Sequence, residues 1–154
     1  MGVIARDHLG EVIRAWGRCR PLCFPLQAEA AALQWAVELA SREQWHQVIF
    51  EGDANSCFDV LSSSAPSPDW SISTYISNIL SLSSAFPSVR FCWVRRLCNS
   101  AAHAVAKFSL SSHQSFFFNN DILPPDIKSV CKVDYLSCTS FFCLMTLHIT
   151  KKKE

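Results

Sequence analysis

Six polar residues have the types and spacing to do chemistry: Glu29, Asp53, Arg95, Arg96, Asn99 and His103. The two carboxylates stand 24 positions apart, with a helical run and a strand-like run between them. Glu29 opens the run Ala28 to Ala40, where the helical repeat puts it on one face with Leu33, Ala36, Val37 and Ala40. That face is the apolar stripe, so the carboxylate is expected to point toward a sheet. Asp53 ends the run Val48-Ile49-Phe50-Glu51-Gly52-Asp53. A helix antiparallel to the strand that follows it sets its N-terminus beside that strand's C-terminal end, the edge where open α/β sheets usually carry their sites. Two carboxylates meeting there are what a divalent cation needs. Arg95 and Arg96 follow a later strand, and Asn99 precedes the last helix of that pattern, which makes the three candidates for phosphate contacts.

Each of these residues also has a plainer reading. Glu29 could be a first-turn carboxylate favouring a helix dipole. Asp53 could cap the next helix, and Asn99 the helix after it. His103 could be a partly buried polar residue near a helix start, and Arg95 with Arg96 a solvated charge pair. Trp35 and Trp45 read as packing residues.

The elements that must position these groups follow from punctuation and periodicity. Met1 to Arg6 and Glu11 to Cys19 read as strands joined by a turn at Asp7-His8-Leu9-Gly10, where Gly10 suits a positive φ. Arg20 to Pro25 is a loop, followed by a helix over 26–41 and a strand over 47–52. A short helix after Asp53 stops in the serines before Pro66. Residues 70–85 carry Ile72, Ile76, Ile79 and Leu80 at helical spacing. Val89 to Val94 is strand-like, and a helix runs from Asn99 to Ser109. The order β-β-α-β-α-α-β-α predicts a layered α/β sheet covered by helices.

Composition narrows the function classes. A chain of 154 residues that is 49% hydrophobic can build one full core. Its formal charge is +1, and the surplus sits in Lys151, Lys152 and Lys153, so no global field draws in nucleic acid and any such binding must be local. The eight cysteines, at 19, 23, 57, 92, 98, 131, 138 and 143, form no CxxC pair. They read as reduced thiols in a cytosolic or nuclear setting. From about residue 113 the character changes. Phe116-Phe117-Phe118 and Pro124-Pro125 read as a loosely packed extension, so the expected division is 1–112 for the domain and 113–154 for a divergent, partly disordered or artefactual tail. The apolar run Leu136 to Thr150 is short of the ~20 residues a spanning helix needs, which argues against a membrane segment.

The ordered pieces resemble a known family. Gly2-Val3-Ile4-Ala5-Arg6-Asp7 with Gly10-Glu11-Val12, Ala28-Glu29-Ala30 with Ala32-Leu33 and Ala36, and Glu51-Gly52-Asp53-Ala54 are similar to consecutive parts of the ribonuclease H-like domain. So is Trp93-Val94-Arg95-Arg96 with Asn99 to Lys107. The variant it resembles is the reverse-transcriptase-like type-1 domain abundant in plant genomes, over residues 2–110. The resemblance implies a ribonuclease H-like mixed α/β sheet with helices on both faces. It implies a nuclease that cuts the RNA strand of an RNA–DNA hybrid with magnesium (or manganese) ions on carboxylates, and no small-molecule cofactor. Glu29 and Asp53 match metal-binding acids, and His103 stands where many members have a further aspartate. Neutral imidazole is a poor magnesium ligand.

The family's first strand, which carries an aspartate and lies mid-sheet, has no counterpart here, because the chain starts at the second strand. Asp7 cannot replace that aspartate, since it lies in the hairpin turn. The expectation is a ribonuclease H-like domain that binds nucleic acid, an RNA–DNA hybrid or RNA, and is weakly active or inactive. The alternative is a non-catalytic nucleic-acid-binding remnant of a retroelement; a tethered protein using the Phe-rich tail is a third class. The β-prone stretch Val133 to Ile149 is a candidate to fill the gap in the sheet.

Overall fold

The computed structural model describes residues 1–21, 23–62, 68–137 and 146–149, with 134–137 and 146–149 described as backbone only. The chain opens with a hairpin of β1 (Gly2–Asp7) and β2 (Val12–Gly17), antiparallel with Gly2 opposite Gly17. Its turn closes by local chemistry. The Asp7 side chain accepts from the backbone N–H groups of Leu9 and Glu11 at 2.9 and 3.0 Å, and Gly10 takes the positive φ of 80°.

Helix α1 (Pro25–Arg42) follows, with Pro25 in the first turn where a missing N–H costs nothing. Next come β3 (Gln47–Gly52), α2 (Asn55–Leu61), α3 (Ser73–Ser83) and β4 (Ser88–Trp93). Strands β3 and β4 pair in parallel, from Gln47 opposite Ser88 to Gly52 opposite Trp93. A 3-10 turn, Arg96–Asn99, leads into α4 (Ser100–Ser112), which ends at His113 in the left-handed region. These elements agree with the sequence-derived order to within a few residues at each boundary.

The strands alternate their side chains between two cores, as a pleated sheet must. Val3, Ala5, Trp16 and Phe50 face the layer of α1, α2 and α3. Ile4, Val12 and Ala15 face α4 with Ala101, Ala102 and Val105. Each fully buried side chain of Ile or Phe size contributes ~1.5–3 kcal/mol, so the two layers together hold the sheet. The fold is therefore mixed α/β with helices on both faces, as expected, although its described strands form two hydrogen-bonded sheets, one holding β1 and β2 and the other β3 and β4. Gly2 sets the spacing of one layer. A methyl group there would collide with the Ala102 carbonyl and stand 2.6 Å from the Ala106 nitrogen, so α4 rides directly on β1.

The region after residue 112 departs from the expected loose extension. Strand β5 (Phe116–Asn119) pairs antiparallel with β2, and α5 (Pro125–Ser137) packs on α4. The reason is the period-2 alternation of three aromatics. Phe116 and Phe118 meet Phe108 at 5.1 and 6.0 Å between ring centres, while Phe117 meets Trp16 on the opposite face at 6.1 Å. Leu123, Ile127 and Cys131 complete that core.

The position where the sequence reading expects a gap beside β1 has an occupant. Strand β6 (Thr146–Ile149) pairs in parallel with β1, from Ile4 opposite Thr146 to Asp7 opposite Ile149, and borders β3. Of the stretch expected to fill it, 133–137 is instead part of α5, and 138–145 lies outside the described residues.

Candidate functional site

Asp53 is the first residue beyond β3, and its side chain is only 7% exposed. It does not cap the next helix: α2 begins at Asn55 with Ala54 before it and no side-chain cap. Its carboxylate turns instead toward the segment after β4. Oδ1 accepts from the Asn99 amide; Oδ2 lies 3.3 Å from Arg96 Nη1 and 3.3 Å from His103 Nε2. The indole N–H of Trp93 donates to the Asp53 carbonyl at 3.2 Å, and the Val94 N–H to the Gly52 carbonyl at 2.9 Å.

Local structure explains why these donors converge. The 3-10 turn repeats every three residues, so Arg96 and Asn99 share a side. One α-helical turn later comes His103. The spacing 96, 99, 103 thus aims three donors at one carboxylate. Asn99 was expected to cap α4, but no side-chain cap bond forms there, because its amide is committed to Asp53.

Glu29 enters from α1. It lies beyond the first turn, since the helix already starts at Pro25, so the dipole reading does not apply. It is half-buried and lines a cleft of about 210 Å3 with Met1, Gly2, Asn99, Ala102 and His103. Burial, and then the nearby charge of Asp53, hold its carboxyl above the usual range; His103 and Arg96 partly oppose this. The two carboxylates are therefore on the same side of the molecule and within electrostatic reach. Burial, aided by Glu29, also pushes the Cys57 thiol up to about 11, which keeps it protonated.

Arg95 is exposed and stands apart from this cluster, lining a different cleft with Leu97, Cys98 and Val130. Trp93, 47% exposed beside the arginines, was read from sequence only as part of a strand. Its position at the strand's last residue, two before Arg95, is the signal that could have singled it out.

The magnesium ions implied by the resemblance can be tested against these groups. Magnesium demands near-octahedral oxygen donors. Both Asp53 oxygens already accept from protein donors, and Glu29 holds its proton more tightly than an ordinary glutamate. Among the described residues, no group of three or more His, Cys, Asp or Glu stands close enough to hold a metal ion. The residues in this arrangement do not fit such an ion. What they make is an internally neutralised carboxylate that ties the end of β3 to α4.

The reverse transcriptase-like family model covers residues 1–109, well over half of the chain. No curated protein and no solved structure matches the chain.

Proposed function

This chain belongs to the reverse transcriptase-like family, a ribonuclease H-like type, and from that premise we propose a nucleic-acid-binding domain that is weakly active or inactive as a nuclease. Family membership implies nucleic-acid binding in general; an RNA–DNA hybrid or RNA is the partner we infer. The observation that supports the loss of activity is the state of Asp53. An acid that was to hold a cation must present free lone pairs, and here the Asn99 amide and the Arg96 guanidinium each donate to one of its oxygens, with the His103 ring beside the second.

No hydrolytic step is assigned to these residues. Their roles are in binding and positioning. Asp53 orients Arg96 and Asn99; Arg95 and Arg96, both exposed, offer cations to backbone phosphates. Trp93 presents part of an aromatic face beside them, a geometry suited to stacking on an unpaired base. The same occupied carboxylate favours the alternative reading, a non-catalytic remnant that keeps the surface and has lost the metal centre.

The test is a paired assay of hybrid binding and hybrid cleavage, in Mg2+ and in Mn2+. The expected result is salt-sensitive binding with little or no cleavage, and weaker binding for Arg95→Ala. Robust Mg2+-dependent turnover abolished by Asp53→Asn would falsify the proposal. Absence of hybrid, RNA and DNA binding would remove its other half.

A further inference from the structure

At the hairpin end of β1, far from Gly2 and the Asp53 cluster, the β1–β2 turn closes against α5 around a second cleft. It measures about 290 Å3 and is lined by Arg6, Leu9, Glu11, Val12, Lys128 and Lys132 among others. Arg6 is 3% exposed. Its Nη1 donates to the carbonyls of Gly10 and Cys131 at 3.2 and 3.0 Å, which pins the guanidinium between turn and helix. Its Nη2 makes no hydrogen bond among the described residues.

A buried guanidinium ordinarily faces a carboxylate. Among the described residues, Arg6 has no ion pair. Glu51 is near enough to feel its charge, but burial pushes that carboxyl up to about 8. At neutral pH it is mostly protonated and supplies little counter-charge.

The opposite wall repeats the imbalance. Lys128 and Lys132 stand one turn apart on α5, a spacing at which like charges repel. Lys128 Nζ reaches only the Asn120 carbonyl, at 3.5 Å, and neither lysine has an ion pair among the described residues. Glu11 is the one acidic residue lining the cleft among them. Leu9 and Val12 add apolar surface.

We propose that this cleft is a binding site for a phosphate monoester of nucleotide size, gripped by Lys128 and Lys132 over the fixed charge of Arg6. Three cations against one carboxylate complement the roughly −1.5 to −2 charge of such a group. Leu9 and Val12 accommodate the attached body. The family match covers the hairpin wall of this site but not α5, which carries both lysines and lies outside residues 1–109. It also stands independently of the reading of Asp53. The phosphate could arrive on a free mononucleotide or at the 5′ end of a nucleic-acid strand.

Calorimetric titration of the full chain distinguishes these sources. The probes are inorganic phosphate, adenosine monophosphate, adenosine, and one short oligonucleotide with and without a 5′-phosphate. The expected result is saturable binding of adenosine monophosphate that adenosine does not share and that inorganic phosphate competes away. Lys128→Gln with Lys132→Gln should weaken it by about tenfold or more, two charged contacts being lost, with the thermal midpoint unchanged. Tighter binding of the 5′-phosphorylated strand assigns the site to strand ends; binding no tighter than the mononucleotide assigns it to free nucleotides. Equal binding of adenosine and its monophosphate, undiminished binding by the folded double variant, or no binding of any phosphate overturns the proposal. The nucleoside comparison uses the unaltered protein, so it holds even if the double variant fails to fold.

Discussion

The end of β3 and the hairpin end of β1 solve opposite electrostatic problems. At the Asp53 end a nearly buried anion receives the Asn99 amide, the Arg96 guanidinium and the His103 imidazole, and both its oxygens are used. At the hairpin end a nearly buried cation, Arg6, donates to two carbonyls and, among the described residues, to no carboxylate. Between them lies Glu51, two residues before Asp53 on the same chain, with both oxygens buried and without a hydrogen-bond partner among the described residues. Proximity in sequence thus says nothing about charge state. Asp53 has donors converging on it; Glu51 has only the charges of Arg6 and Arg90 and no hydrogen bond to either, so burial wins and it keeps its proton.

The contrast makes graded predictions. The largest concerns Glu51. Its folded pKa, about 8, is raised above the unfolded value near 4.5, so its contribution to stability is fully present at low pH and is lost as pH rises through that window. Between pH 5 and pH 7 this should cost about 2–3 kcal/mol in urea unfolding, and Glu51→Gln should flatten the slope. An unchanged slope in that variant would show that Glu51 ionises normally and that the contrast with Asp53 is false.

Next comes Asp53→Ala, which leaves the buried Asn99 amide without its acceptor. A loss of about 1–3 kcal/mol is expected, measured as a lower denaturant midpoint. A stabilised variant would mean that the carboxylate is strained in place and held for another purpose. The smallest effect belongs to Arg96→Ala. This side chain is 75% exposed, so its ion pair is screened and its removal should shift stability by well under 1 kcal/mol. A larger loss would assign the neutralisation of Asp53 chiefly to Arg96 in place of Asn99.

Much of this molecule was legible in the chain. The hairpin turn at Asp7 to Gly10, the helix after Pro25 and the strands at 47–52 and 88–93 follow from local rules of turns, proline and periodicity. The sequence also named Glu29, Asp53 and His103, which the fold brings near one another. Their bonding was not legible. Asp53 and Asn99 both read as helix caps, because capping is the local use of such side chains. Each makes a contact more than forty residues away instead, and no local rule encodes that.

The sequence alone thus determined the order of elements, because hydrophobic period and backbone punctuation act over a few residues. Only the tertiary structure decided how the ends of the sheet are completed. The aromatic run at 116–118 became an edge strand because β2 offered it unpaired backbone and Phe108 offered it a surface. Residues 146–149 joined β1 for the same reason, that exposed strand edges seek partners wherever the chain can supply them. Charge state was settled last, since whether a carboxylate keeps its proton depends on burial and neighbours that exist only once the layers have closed.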